Sequence, residues 1–113
     1  MANNRKTKRA EVDIYLNKII DEALHMTRAR DISTEGIWLS KILEPSLDGK
    51  KVGLEFKLPG QEEVIWAAGE IVRKGEHESP RGAAEGSGIK FTAMADRFRR
   101  MIEVYVSRVA GNA

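Results

Sequence analysis

Apolar and polar side chains alternate along most of this chain, and a repeat of two residues is typical of a half-buried β-strand. The alternation begins at Val12, and Val12, Ile14 and Leu16 share one face of the backbone. It is clearest in residues 52–58, where every second side chain is apolar. The pattern predicts strands at about residues 12–17, 23–30, 36–39, 52–58, 63–74 and 86–92.

Turn-forming residues separate the predicted strands. Pro45 and Asp48-Gly49 indicate one loop and Pro59-Gly60 a second, because proline and glycine favour turns. Gly69 lies inside a predicted strand, which indicates a bulge or a barrel corner. Residues 75–85 contain glycine, proline and several charges, so we expect an exposed loop there.

After Thr92 the repeat of two residues gives way to a helical repeat. The apolar residues at helical spacing are Met94, Phe98, Met101, Ile102, Tyr105 and Val109. They predict a helix at about residues 93–109, with Thr92 as its N-cap. Short strands followed by one helix indicate a mainly β fold, a small antiparallel β-barrel that the helix caps.

Composition narrows the class of protein. With 113 residues, the chain has the length of a single domain. It contains no cysteine, which excludes disulfides, thiol catalysis and cysteine metal sites. No apolar run approaches the ~18 residues of a membrane-spanning helix, so we expect no membrane span. The basic N-terminus lacks the apolar segment of a signal peptide, and we expect a cytoplasmic location.

Positive charge is concentrated at the N-terminus. The first nine positions contain no acidic residue. They hold four of the 19 basic residues: Arg5, Lys6, Lys8 and Arg9. The other 15 are outnumbered by 17 acidic residues. The chain therefore divides into a flexible basic arm, residues 1–9, and a slightly acidic domain, residues 10–110. Such an arm either solubilises the terminus or attracts an anion, which could be nucleic acid, a membrane surface or a nucleotide.

The segment from Asp31 to Gly36 could complete an anion site with the arginines of the arm. An arginine holds a phosphate through two hydrogen bonds, or pairs with the O6/N7 edge of guanine. Asp31 accepts from N–H donors, Ser33 both donates and accepts, and Gly36 allows close approach of the backbone. The same residues also suit a turn between two strands that Asp or Ser stabilises.

The order of these motifs resembles the PilZ domain family. Arg-x-x-x-Arg runs from Arg5 to Arg9, and Asp-x-Ser-x-x-Gly follows from Asp31 to Gly36. The sequence Gly88-Ile89-Lys90-Phe91 matches the family's late Gly-x-x-Phe strand, and a predicted helix follows it. The resemblance covers about residues 5–109 and implies a six-stranded antiparallel β-barrel with a C-terminal α-helix. It also implies a non-catalytic receptor for the bacterial second messenger cyclic di-GMP.

The resemblance implies a set of ligand-binding residues: Arg5, Arg9, Asp31, Ser33 and Gly36, with secondary contacts from Lys8, Arg30 and Gly88. Many family members carry a further arginine where this chain has Asn4, which leaves open whether one cyclic di-GMP or a stacked pair is bound. We expect no cofactor. We also expect no metal site, because His25 and His77 lack a second ligand at suitable spacing.

The resemblance further implies that the arm orders on binding and changes the interaction with a downstream protein, which the sequence does not identify. We expect a monomer or a weak homodimer. One alternative is a small-barrel nucleic-acid-binding protein, which an aromatic content of 6% and an acidic domain disfavour. Another is a PilZ-like protein-interaction module that does not depend on nucleotide. An enzyme is not expected, because no general base, nucleophile or metal set can be assembled.

The remaining expectations concern two arginines and the two tryptophans. Arg28 and Arg30 are expected to pair with Asp31 or Glu35 on the strand that enters the motif. Trp38 is expected either to offer an exposed stacking face or to pack against the helix. Trp66 is expected in the core.

Overall fold

A computed structural model of the protein describes residues 9–40, 51–79 and 82–110, with the side chains of residues 73–85, 87 and 110 left aside. The elements run in the order β1 (Ala10–Ile20), β2 (Ala23–Ile32), β3 (Gly36–Ser40), β4 (Lys51–Phe56), β5 (Ile65–Ser79), β6 (Gly82–Met94) and α1 (Asp96–Ala110). The division into a flexible arm, residues 1–9, and a domain, residues 10–110, stays a prediction because most of the arm lies outside this range.

The six strands form a closed barrel in the order β1-β2-β3-β6-β5-β4, and β4 returns to β1. Every pair of neighbouring strands is antiparallel. The predicted fold class, a mainly β six-stranded antiparallel barrel with a C-terminal helix, is therefore confirmed. Closure matters for function because pairing each strand with two neighbours limits the strand edge to which another chain could pair.

Alternating side chains fill the barrel from every strand. In β4, for example, Val52, Leu54 and Phe56 are buried and their neighbours are not. Helix α1 adds Ile102 and Val106 to the same apolar cluster. The partly buried side chains that pack on this cluster are Ile14, Ile20, Met94, Phe98, Met101 and Tyr105. No helix in the described ranges is both long enough and apolar enough to cross a membrane.

The pairing of β2 with its neighbours β1 and β3 is irregular at two places, which bends the barrel there. The register of β1 against β2 shifts between Glu11 and Ile14, and that of β2 against β3 shifts between Ala29 and Asp31. Such bulges re-aim side chains and sharpen the local twist. A further shift lies between Ala68 and Gly69, which confirms the bulge predicted at Gly69.

The end of β6 differs from the sequence prediction. Thr92 lies within β6, and the strand continues until Met94, which pairs with Ala67. The helix begins at Asp96, and the carbonyl of Ala95 accepts hydrogen bonds from the amides of Phe98 and Arg99. The prediction of Thr92 as the N-cap was wrong because pairing with β5 holds these residues extended.

The loop predicted for residues 75–85 was also wrong, apart from residues 80 and 81, which lie outside the described range. Strand β5 extends to Ser79 and β6 starts at Gly82, with Gly75 opposite Gly86 and Ser79 opposite Gly82. A ladder of backbone hydrogen bonds requires no apolar side chains. The glycine-rich, charged composition therefore concealed a hairpin.

The environment of each tryptophan contradicts one expectation from the sequence. Trp66 is 51% exposed on the outside of the barrel, so its assignment to the core was wrong. Its neighbours Ile65 and Ala67 are fully buried, and alternation turns Trp66 outward. Trp38 is buried, and a Cβ added to Gly86 would lie 2.8 Å from its indole nitrogen. Of its two expected roles, the exposed stacking face was wrong, because glycine on β6 leaves room for the ring, and packing against the helix stays a prediction.

Candidate functional site

Residues 33–35 connect β2 to β3 through a turn that hydrogen-bonds to itself. The Ser33 amide donates to the carbonyl of Gly36 at 2.9 Å. The buried Ser33 hydroxyl oxygen accepts from the amides of Glu35 at 3.1 Å and Gly36 at 3.2 Å. These three bonds fix the backbone without any ligand, so the structural interpretation of the segment as a serine-stabilised turn holds.

Gly36 is required by packing against β6. A Cβ at this position would lie 2.4 Å from the carbonyl oxygen of Ile89, a distance that real Cβ atoms essentially never show. The residue pairs with Lys90 as β3 starts. Gly36 therefore lets the turn and β6 approach each other closely, which is a different reason for glycine from the approach to a ligand that the sequence suggested.

Arg9 and Asp31 connect the two halves of the predicted motif. Arg9 Nη1 donates to Asp31 Oδ1 at 2.8 Å. The Asp31 side chain is 7% exposed, whereas that of Arg9 is 39% exposed. Because Glu11 pairs with Asp31, the start of β1 delivers Arg9 to the end of β2. The result is a buried carboxylate covered by a guanidinium whose other N–H donors can reach solvent.

Two further bonds hold the turn from the other side. The amide of Phe91 on β6 donates to the carbonyl of Glu35 at 2.9 Å. Arg99 Nη1 on α1 donates to the carbonyl of Thr34 at 2.6 Å. The turn is thus tied to β6 and to the C-terminal helix as well as to its own strands.

Sequence reasoning did not single out Arg99. The residue lies 65 positions from Thr34, so no local motif relates the two. Its neighbours Arg97 and Arg100 are also arginines, which hides any individual signal. Only the path of α1 across the barrel distinguishes it.

Arg28 on β2 has a partner different from those expected. Arg28 binds Asp13 through two bonds, Nε to Oδ1 at 2.5 Å and Nη2 to Oδ2 at 2.7 Å, instead of Asp31 or Glu35. The hydrogen bond to Asp13 and the charge of that carboxylate raise the pKa of Arg28 above its usual value. Asp13 lies in the β1 bulge, which carries its side chain towards β2. The expected pairing of Arg28 was therefore wrong.

Arg30 occupies the β2 bulge, between the paired residues Ala29 and Asp31. Its Nε is buried, and within the described parts of the chain it has no hydrogen-bond partner. Gly88 pairs with Trp38, two positions along β6 from the Lys90 that faces Gly36. Both predicted secondary contacts thus lie on strands that flank the turn, and their role as ligand contacts stays a prediction.

The remaining predicted site residues are not described. Arg5 and Lys8 lie outside the described residues, as does Asn4. Among residues 9–40, 51–79 and 82–110, no group of three His, Asp or Glu side chains is placed to hold a metal ion. The described site consists of Arg9, Asp31 and the Ser33–Gly36 turn.

The fold and the site together define a helix-capped, closed β-barrel domain with an arginine–carboxylate pair beside a rigid Asp-x-Ser-x-x-Gly turn. The sequence profile of the PilZ domain matches residues 3–108. The chain belongs to the PilZ domain family.

Solved structures with the same fold agree with this membership. The Bacillus subtilis inhibitor of motility (MotI/DgrA) superposes with a TM-score of 0.79 at 18% identity, over 97% of this chain and 52% of that one. The PilZ domain of YcgR from Escherichia coli, solved with c-di-GMP, gives 0.74 at 13% identity, over 97% and 94%. The Borreliella burgdorferi PlzA protein in complex with c-di-GMP gives 0.66 at 9% identity, over 92% and 50%.

This chain therefore spans about half the length of the Bacillus and Borreliella proteins. At these identities the likeness shows the fold. A comparison with curated protein sequences gave no match.

Proposed function

We propose that this protein is a non-catalytic cytoplasmic receptor for cyclic di-GMP that signals to a downstream partner protein. The bond between Arg9 and Asp31 carries the proposal, because it joins the end of the basic arm to the motif turn. Membership of the PilZ family supports it. So do the c-di-GMP complexes of the Escherichia coli and Borreliella burgdorferi proteins, whose fold this chain shares.

The chemistry of the pair suits a ligand that presents both phosphates and guanine edges. In the proposed complex the exposed donors of Arg9 bind a phosphate or the O6/N7 edge of guanine. A phosphate that draws Arg9 away would remove one donor from the buried Asp31 carboxylate. The N–H groups of a guanine can supply one, so a single ligand can satisfy both partners.

Ser33 and Gly36 act in this proposal chiefly by holding the turn. The Ser33 oxygen already accepts two backbone amides, and its hydroxyl hydrogen is the part left to donate to a ligand. Gly36 keeps the turn against β6. A turn fixed in advance binds without further ordering cost.

The proposal extends to the basic arm, including Arg5 and Lys8, which lie outside the described residues. Fixing a flexible segment costs roughly 1–2 kcal/mol per residue in backbone entropy, which charge-assisted bonds to the ligand must offset. Docking of the arm would create a new surface beside the barrel for the downstream partner. Arg5→Ala tests this part, and full affinity in that variant would remove Arg5 from the site.

Isothermal titration of the protein with cyclic di-GMP tests the proposal. We expect saturable heat, and we expect Arg9→Ala and Asp31→Asn each to weaken binding. Removing a hydrogen bond to a charged group costs about 1.5–3 kcal/mol, which corresponds to roughly 10- to 150-fold in affinity. Arg108→Ala, an exposed arginine in the last turn of α1, is the matched control and should bind normally. Absence of saturable heat with the folded wild-type protein would contradict the receptor function.

The nucleic-acid alternative is decided by the same instrument with a single-stranded oligonucleotide as titrant. Binding through phosphate contacts would weaken steeply as salt is raised. If the protein binds no oligonucleotide at low salt, this alternative is removed. If the folded protein also fails to bind cyclic di-GMP, the nucleotide-independent interaction module is favoured.

A further inference from the structure

The outside of the barrel carries large apolar side chains that the receptor function does not use. Tyr15, Leu24 and Met26 are 64%, 63% and 63% exposed, and Trp66 and Val64 are also exposed. They lie on β1, on β2 and at the start of β5, and β4 runs between β1 and β5. We call these five side chains the outer-wall strip.

Strand register makes the strip continuous. One row across the wall consists of Met26, Asn17, Glu55 and Trp66, each opposite the next. The Trp66 indole Nε1 donates to Glu55 Oε2 at 3.1 Å. A Cβ added to Gly53 would lie 3.9 Å from Trp66 Cη2 and 3.6 Å from the Ile19 Cβ. The indole therefore lies across β4 and joins the apolar side chains of β1 to those of β5.

A groove opens along this wall beside Trp66. Its volume is about 450 Å³, and its lining includes Tyr15, Met26, Glu55, Lys57 and Val64. Four neighbouring strands span about 14 Å between the first and the last, from a spacing of about 4.8 Å. An α-helix with side chains is about 10–12 Å across, so the wall has the width for one helix.

The closed barrel restricts how a protein can dock here. Addition of a strand requires an exposed sheet edge, and β2, β1, β4 and β5 are paired with one another along the row from Met26 to Trp66. A partner that covers this row must therefore bind through side chains. The fitting mode is an amphipathic helix that places apolar side chains in a hydrophobic groove.

The charges around the strip determine whether a basic or an acidic partner is favoured. Glu55 lies inside the groove, and its bond to the Trp66 indole leaves its negative charge in place. Glu22 and Glu62 are exposed and stand two residues before Leu24 and Val64 in sequence, and Lys57 offsets part of this charge. The wall is therefore acidic overall.

Other charges on the same wall are already balanced. Arg28 is paired with Asp13 and lies 5.8 Å from the Tyr15 ring centroid, and Lys51 faces Glu70. A second copy of the chain would bring like charges together, which disfavours self-association through this face.

We propose that the outer-wall strip is the docking surface for a basic amphipathic helix of a partner protein. Apolar side chains of the helix enter the groove between Tyr15, Met26 and Val64 and contact the face of Trp66. A lysine or arginine of the helix binds Glu55. The surface is formed by strands that are in place without a nucleotide, so this docking is distinct from the binding of cyclic di-GMP.

Fluorescence anisotropy with a labelled model peptide tests the proposal. The probe is a helix of about five turns built from leucine, alanine and lysine, with lysine confined to one face. The control peptide carries glutamate at every lysine position. We expect the full chain to bind the basic peptide saturably, with affinity that falls as salt is raised, and not to bind the acidic peptide.

Variants locate the binding on the wall. Trp66→Ser and Met26→Ser should each lower affinity for the basic peptide by about tenfold or more, as truncation of a central apolar contact does. Glu55→Lys should weaken the basic peptide and admit the acidic one. The matched control is Val104→Ser, which removes an exposed apolar side chain from α1 and should change nothing. If the wild type binds cyclic di-GMP, a variant that still binds it is folded. If the wild type does not, an unchanged melting temperature identifies the variants that still fold.

Several outcomes would overturn the proposal. Equal binding of both peptides, no binding of the basic peptide, or binding that survives both Trp66→Ser and Met26→Ser would each do so. Sedimentation that shows a dimer abolished by Trp66→Ser would assign the strip to a second copy of the chain instead. Failure of cyclic di-GMP to bind would contradict the proposed receptor function and leave this result unaffected.

Discussion

At the scale of single residues, the site depends on a buried carboxylate. A charged group with so little exposed surface must be hydrogen-bonded, because burying an unpaired charge is expensive. Arg9 meets part of this need for Asp31 and is itself accessible. The pair is therefore held in the free protein and open to exchange with a ligand that offers both acceptors and donors.

Gly36→Ala should destabilise the fold. The added Cβ would meet the backbone oxygen of Ile89 at 2.4 Å, and backbone cannot move aside as a flexible side chain can. Overpacking of this kind costs about 1–3 kcal/mol, which chemical denaturation measures. Gly53→Ala is the control, because its nearest atoms lie at 3.6 Å or more, an ordinary contact. Equal stability of the two variants would show that the close approach at Gly36 is not a constraint.

At the scale of elements, α1 both closes the barrel and reaches the site. Ile102 and Val106 enter the core, while Arg99 holds the carbonyl of Thr34. The helix and the turn therefore share a bond that neither the strands nor the motif provides. A displacement of α1 would therefore move the turn, and a displacement of the turn would move α1.

Arg99→Met should loosen the turn while α1 stays folded. Methionine keeps much of the length and apolar stem of the side chain but donates nothing to Thr34. We expect faster hydrogen exchange at the amides of Glu35 and Gly36, and weaker binding of cyclic di-GMP by severalfold. Arg100→Met, at an exposed neighbouring position, is the control. Identical exchange in the two variants would remove Arg99 as a positioning residue.

Tyr105 should make stability depend on pH in the alkaline range. Burial raises the pKa of its phenol above the ordinary value of 10.0. The folded state then holds this proton more tightly than the unfolded state. Its contribution is fully present below pH about 10 and is lost as pH rises through the raised pKa.

Thermal unfolding across this pH range should therefore show a shallower loss of stability in Tyr105→Phe than in the wild type. Tyr15→Phe, which removes the same hydroxyl from an exposed ring, is the control. A Tyr105→Phe profile parallel to that of the wild type would exclude this phenol as the source.

At the scale of the whole molecule, charge is divided between a basic arm and an acidic domain. Deletion of residues 1–8 removes Arg5, Lys6 and Lys8 but retains Arg9. We expect the shortened chain to bind cyclic di-GMP more weakly and to lose part of the dependence of affinity on salt. Titrations at two ionic strengths measure both effects. Unchanged affinity and salt dependence would place the anion contacts entirely on the described barrel.

Local sequence was enough to predict six strands, the helix and the bulge at Gly69, because each depends on residues close in sequence, but it missed the paired ends of β5 and β6. It could not orient Trp66, since Val64, Ile65, Trp66 and Ala67 form an apolar run without alternation. The bond from Arg99 to Thr34 escaped prediction because it depends on the path of the chain over 65 positions. The motif predicted the candidate site, but only the register of β1 against β2 brings Arg9 to Asp31.

The opposite placement of the two tryptophans gives the protein two optical reporters. Trp38 pairs directly with Asp31 and is shielded from water, whereas Trp66 lies on the solvent-facing wall of the barrel. Their emission should separate into a blue component that resists a soluble quencher and a red component that does not. Trp66→Phe would leave one signal from beside the proposed ligand site, and Trp38→Phe one from the outer wall. Events on the two sides of the barrel can thus be followed separately without attaching a dye.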